Sequence, residues 1–112
     1  MKQEIFEYKS IQYIIEIGQN KQDNFDIINS ADLKDIWFHV SDIPSCHVIL
    51  KTYNKTNKIP HQVIKRCAYL CKINSKAKTE LKCNIHYTTI DNVEHAEKKG
   101  QVHVKNFKTI SV

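Results

Sequence analysis

Asp35-Ile36-Trp37-Phe38-His39-Val40-Ser41-Asp42-Ile43-Pro44-Ser45-Cys46-His47-Val48-Ile49-Leu50 reads as two apolar strands, each carrying a histidine, around a short loop that contains proline. Successive side chains of an extended chain point to opposite faces. Ile36, Phe38 and Val40 therefore share one side, and Asp35, Trp37 and His39 the other. Pro44 biases the residue before it toward extended backbone. Beyond the turn, Val48 and Leu50 share a side, opposed by His47, Ile49 and Lys51. If both aliphatic sides face the core, Trp37, His39 and His47 emerge together as an aromatic and histidine surface. If a helix covers that second side instead, Trp37 and His39 are core residues. Periodicity leaves the choice open.

Working outward, Ile11–Ile17 alternates as a strand with Ile11, Tyr13, Ile15 and Ile17 on one face, and Glu4–Tyr8 is placed to pair with it as an edge strand. Gly18 ends that strand, read as a position suited to positive φ. Asn20 caps a short helix over Lys21–Ser30 with Phe25 and Ile28 as its buried pair. Pro60 stands in the first turn of a helix running to about Ala77. Val63, Ile64, Cys67, Ala68 and Cys71 recur as its buried stripe, and Lys65, Tyr69, Lys72 and Lys76 form an outward one. Cys83–Thr88 reads as a strand with Cys83, Ile85 and Tyr87 on one face. Ile90–Lys99 is a polar connection, and Gly100 precedes two short strands, Val102–Val104 and Thr109–Val112. The economical arrangement is α+β: a single, mostly antiparallel sheet with one long helix packed on it and a short N-terminal helix.

With 112 residues, 41% of them apolar and 26% charged, the chain is long enough for one soluble domain, residues 1–112, and too short for two. No signal-peptide-like apolar core opens it, and no apolar run approaches membrane-spanning length. The reading is an intracellular, cytoplasmic chain without membrane insertion, whose four cysteines stay reduced. Charge is unevenly placed. Residues 1–45 hold four Lys and eight acids, a net of −4, whereas residues 46–112 hold thirteen bases and four acids, a net of +9. A polyanion responds to such local positive density more than to the total of +5.

The order of motifs resembles that of the NFACT-R (DUF814) family. The family's strand ending in Gly-x-Asn, followed by an Asn-acidic pair, looks like Gly18-Gln19-Asn20 and Asn24-Phe25-Asp26. Its Asp-x-Trp-x-His is met by Asp35–His39. Its Pro-Gly-Ser-His followed by aliphatics is met by Pro44-Ser45-Cys46-His47-Val48-Ile49-Leu50, with Ser45 replacing the glycine and Cys46 the serine. Its alanine-rich helix ending in Ser-x-Ala looks like Cys67-Ala68 through Ser75-Lys76-Ala77. Its closing segments look like Gly100-Gln101-Val102 and Lys108–Val112. The resemblance implies an RNA-binding module. Such modules occur in ribosome-associated quality-control factors and in short stand-alone eukaryotic proteins, and this loop is nearer to the latter.

The leading expectation is a non-catalytic nucleic-acid-binding module that needs no cofactor or metal. Transfer or ribosomal RNA is the foremost partner; DNA and a ribosome or translation-factor contact stand beside it. The candidate site comprises Trp37, His39, Ser45 and His47 with Lys65, Arg66, Tyr69, Lys72, Lys76 and Lys78. Lysines neutralise phosphates and release counterions, and an interleaved aromatic stacks on a base. The competing reading for the lysines is a solvated helix face; for Trp37 and the histidines it is core packing. No Cys-x-x-Cys pair suggests zinc, and the cysteines read better as small buried thiols. Two other functions compete. One is a protein-interaction adaptor docking through an exposed Trp37 or the acidic half. The other is a small RNA-processing enzyme using His39 or His47 as base and Cys46 as nucleophile, with Asp35 and Asp42 as orienters.

Overall fold

In the computed structural model, which describes residues 1–53 and 59–112, the chain runs β1 (Lys2–Tyr8), β2 (Ile11–Ile17), α1 (Lys21–Asn29), β3 (Ile36–Val40), β4 (Val48–Lys51), α2 (His61–Ile73), β5 (Asn84–Thr89), β6 (Val93–His95), β7 (Val102–Val104) and β8 (Lys108–Ser111). Six strands pair antiparallel throughout in the order β1-β2-β4-β3-β5-β8, and β6 with β7 forms a separate ribbon. The class is α+β, as expected. The ribbon is an addition, because Val93–His95 lies inside the stretch read as a polar connection.

Both faces of the sheet are covered. Tyr13, Ile15, Ile17, Phe38, Val40, Val48, Leu50 and Ile85 form one core with Val63, Ile64, Cys67, Ala68 and Cys71 of α2. On the other face Trp37 and Ile49 pack with Ile27 and Ile28 of α1 and with Ile90, and Val93, Val102 and Val104 of the ribbon close over them. This double cover explains why Val48, Ile49 and Leu50 are all buried. The open question of which face the helix takes is thus resolved by two layers. α2 lies on the Phe38 side, while α1 and the ribbon bury Trp37 from the other.

Local chemistry sets the boundaries. Asn20 accepts from the Asp23 amide as the α1 cap. The buried pair differs from expectation: Ile27 and Ile28 point inward, whereas Phe25 stacks on His95 of the ribbon, centroids 4.5 Å apart. α2 starts after Pro60 and stops at Ile73, a turn before the expected end. There the Asn74 side chain donates to the Leu70 carbonyl and Ser75 Oγ to that of Lys72, side chains that compete with helical backbone bonding. Gly18 does not need positive φ. A Cβ at this position would lie 2.1 Å from Asn24 Oδ1, so the glycine is there for space.

The end of β3 and β4 away from the Pro44 loop is closed by a fully buried carboxylate. Asp35 accepts from the amides of Asp32 (3.0 Å) and Thr52 (2.9 Å), from Thr52 Oγ1 and from Lys51 Nζ, which also faces Glu16. The first residue of Asp-x-Trp-x-His is therefore a structural anchor, not an orienter of a histidine. Asp35→Ala would strand those donors and should cost roughly 3–5 kcal/mol in urea unfolding, against less than about 0.5 kcal/mol for exposed Lys65→Ala.

Candidate nucleic-acid interface

The loop from Ser41 to Cys46 separates two clefts. One, of about 520 Å³, has Trp37, His39, His47, His86 and Phe107 among its walls, with Lys21 and Lys99 at its margin. The other, of about 460 Å³, has Asn20, Lys21, Ser75, Lys76 and Lys78 among its walls. Lys21, Asn24, Pro44 and Ser45 border both.

Strand alternation and one asparagine build the first cleft. Trp37 and His39 leave the same face of β3, with nearly parallel rings 7° apart and centroids at 5.6 Å. His47 enters from the start of β4, edge-on to both rings. Trp37 Nε1–H donates to His47 Nδ1 at 3.3 Å, so this nitrogen carries no proton and neutral His47 has its hydrogen on Nε2. The His47 amide donates to Asn24 Oδ1 (3.1 Å), and its carbonyl accepts from the Gly18 amide (2.9 Å). Ser45 Oγ accepts from the Val40 amide and donates to the Cys46 carbonyl. The serine that replaces a family glycine thus ties its own loop shut.

Burial, reinforced by the neighbouring His39, pushes His47 down to about 3. His39 is also lowered, chiefly by burial and further by His86, against a raising backbone bond at Val40. These rings are uncharged aromatic and hydrogen-bonding groups at neutral pH, not cations.

The expected surface is only partly present. Trp37 and His47 are each 3% exposed, so neither stands out from the surface, because α1 and the ribbon cover them. An adaptor docking through an exposed Trp37 is ruled out by the same burial. His39 and Ser45 are half-buried at the cleft. The outward lysine stripe is broken. Lys65 and Tyr69 are exposed, but Lys72 is 8% exposed and donates Nζ to the backbone oxygens of Leu81 and Val112. Arg66 makes a bidentate pair with Glu4, both contacts 2.8 Å, pinning α2 to the edge strand β1. Lys65, Arg66, Tyr69 and Lys72 line neither cleft, whereas exposed Lys76 and Lys78 do. Cys46 borders the lysine groove, on the far side of the loop from His39 and His47. Its Sγ points to the Cys71 carbonyl, and that of Cys71 to the Cys46 carbonyl, each at 3.6 Å.

Sequence reasoning missed His86, Phe107, Lys21 and Lys99. Strand alternation held the signal for His86, since it opposes Cys83, Ile85 and Tyr87 and is paired with His39 across β3 and β5. Phe107 stood as a lone aromatic among polar residues; it stacks on His86 with centroids 4.1 Å apart.

The family model described as the NFACT protein RNA binding domain matches residues 2–106. The chain belongs to this NFACT RNA-binding domain family. It is 36% identical over 88 residues to coiled-coil domain-containing protein 25 of Bos taurus, covering 76% of this chain and 42% of that protein. It is 33% identical over 104 residues to the Dictyostelium discoideum homologue, covering 88% and 50%. The chain thus spans about half the length of the relatives it matches. The C-terminal part of the fibronectin/fibrinogen-binding protein from Streptococcus suis superposes over the whole chain with a TM-score of 0.85, covering 45% of that chain. At 24% identity this shows a shared fold. NFACT membership supports a nucleic-acid-binding module with RNA as partner. No helix among the described residues is long and apolar enough to cross a membrane, and no group of three His, Cys, Asp or Glu among them is arranged to hold a metal.

The Gly18, Asn24 and His47 contacts should couple in a double-mutant cycle. Gly18→Ala displaces the Asn24 amide and Asn24→Ala removes it, each leaving the His47 amide unpaired at roughly 1–3 kcal/mol. The double variant should cost clearly less than the sum in urea unfolding; additivity would refute the shared Gly18–Asn24–His47 contact. Acid should also destabilise the fold. The unfolded His47 takes a proton near pH 6.5, which the folded chain refuses until about 3. Stability is therefore full above pH 6.5 and falls below it, by roughly 2 kcal/mol at pH 5 from His47 alone. His39 adds a loss of the same sign. The unfolding midpoint at pH 7.5 and pH 5, with His47→Gln flattening the difference, checks this.

Proposed function

We propose that this chain is a non-catalytic RNA-binding module, acting on transfer or ribosomal RNA in a ribosome-associated setting, and that it binds through the two clefts around the Pro44–Ser45 loop rather than through the exposed face of α2. The observation that carries the reading is the adjacency of unlike surfaces. A ring-lined cleft shares its Lys21, Pro44 and Ser45 rim with a groove that also holds Lys76 and Lys78. Rings suit bases and lysines suit phosphates, and RNA offers the two within one nucleotide of each other. The absence of catalysis rests on the division of the candidate residues. His47 Nδ1 is occupied by Trp37, Asp35 is spent on backbone amides, and Cys46 borders the other cleft.

Fluorescence anisotropy with a labelled transfer RNA at two salt concentrations tests the location. Lys76→Glu with Lys78→Glu should weaken binding of all sequences alike and reduce the salt slope by roughly one per lysine. Lys65→Glu should leave both nearly unchanged. The reverse pattern would return the site to the α2 face.

A further inference from the structure

Four rings form a line across the sheet. His47, just before β4, is 5.0 Å from His39 of β3, His39 is directly opposed to His86 of β5, and His86 is 4.1 Å from Phe107, just before β8. Trp37 backs the line at 5.6 Å from His39. The exposed end is Phe107, 45% accessible, and the ribbon turn Lys99-Gly100-Gln101 forms the facing wall. Gly100, at φ +81°, lets this turn approach the backbone of Lys21, where a Cβ would come within 2.9 Å.

We infer that the ring-lined cleft takes a single unpaired nucleotide of an RNA strand, its base lying against His39, His86 and Phe107, while the neighbouring phosphates pass the Pro44–Ser45 rim to Lys21, Lys76 and Lys78. The inference rests on the RNA-binding reading above and narrows its ligand to single-stranded RNA. In a duplex every base face is covered by the next pair, so a row of rings meets only phosphates, sugars and groove edges. A splayed-out base offers a bare π-face, which stacks without regard to sequence. A cavity of about 520 Å³ is of small-ligand size and admits a nucleotide but not a helix. Burial also keeps His39 and His47 uncharged at neutral pH, so neither of these two rings is a cationic phosphate site. The phosphates go instead to the lysines next door.

Trp37 is the chain's single tryptophan and touches the ring row, so its emission reports occupancy of the cleft without a label. The full chain is titrated with an unstructured RNA octamer and with the same strand annealed to its complement, reading both Trp37 emission and anisotropy. The single strand should bind at least about tenfold more tightly and alone change the emission, a difference of roughly 1.4 kcal/mol. Phe107→Ala and His86→Ala should each weaken single-strand binding roughly five- to hundredfold, the range of one lost base stack. His86→Phe keeps a ring and should keep binding, which separates loss of stacking from loss of fold. Equal affinity for duplex and single strand, with Phe107→Ala silent, would overturn the inference and leave the RNA-binding reading standing. If neither the single strand nor the duplex binds, both readings fall.

Discussion

The Asn24 carboxamide holds the molecule in register. It sits where Gly18 leaves no side chain, at the end of β2, and accepts the amide of His47 at the start of β4. One side chain of α1 therefore fixes the helix to two adjacent strands. An amide buried under a helix needs such an acceptor, and removal of the partner costs more than the bond contributes in water. With His47 held, Trp37 finds its acceptor, and the orientation of that ring determines where His39 can lie. Three residues that look like a binding motif in sequence are thus partly the supports of one. His39 is half-open to the cleft, while Trp37 and His47 position it from behind.

Charge is arranged with the same economy. Of the cations that the α2 spacing groups together, Arg66 joins Glu4 and Lys72 joins backbone oxygens, so both serve the packing of α2. The lysines left to line a cleft, Lys76 and Lys78, stand beyond the helix end, where Asn74 and Ser75 turn the chain toward the Pro44 loop. The break in the helix brings positive charge beside the rings. A helix continuing to Ala77 would have carried Lys76 along its own face instead.

Much of this was readable from residue pattern. Alternation in Ile36–Val40 and Val48–Leu50 marks two strands and sorts their faces correctly; the α2 stripe of Val63, Ile64, Cys67, Ala68 and Cys71 is buried as its spacing requires. What failed has a common cause. Exposure of Trp37, freedom of Arg66 and Lys72, and the inward turn of Phe25 all depend on which distant segment arrives opposite. For Trp37 and Phe25 that segment is the β6–β7 ribbon; Val102–Val104 was legible as a strand, but its partner Val93–His95 carries too weak an alternation to be seen in the chain.

The order of motifs carried the family resemblance, while periodicity and turn residues by themselves determined the α+β class and the faces of the central strands. Those properties are local, because strand pitch and helical repeat act over a few bonds. Tertiary structure alone decided that His86 and Phe107 join the ring row, that a loop stands between the rings and Lys76 and Lys78, and that Asp35 is an anchor. Each of these is a meeting of residues far apart in the chain, and a one-dimensional pattern records no distance between them.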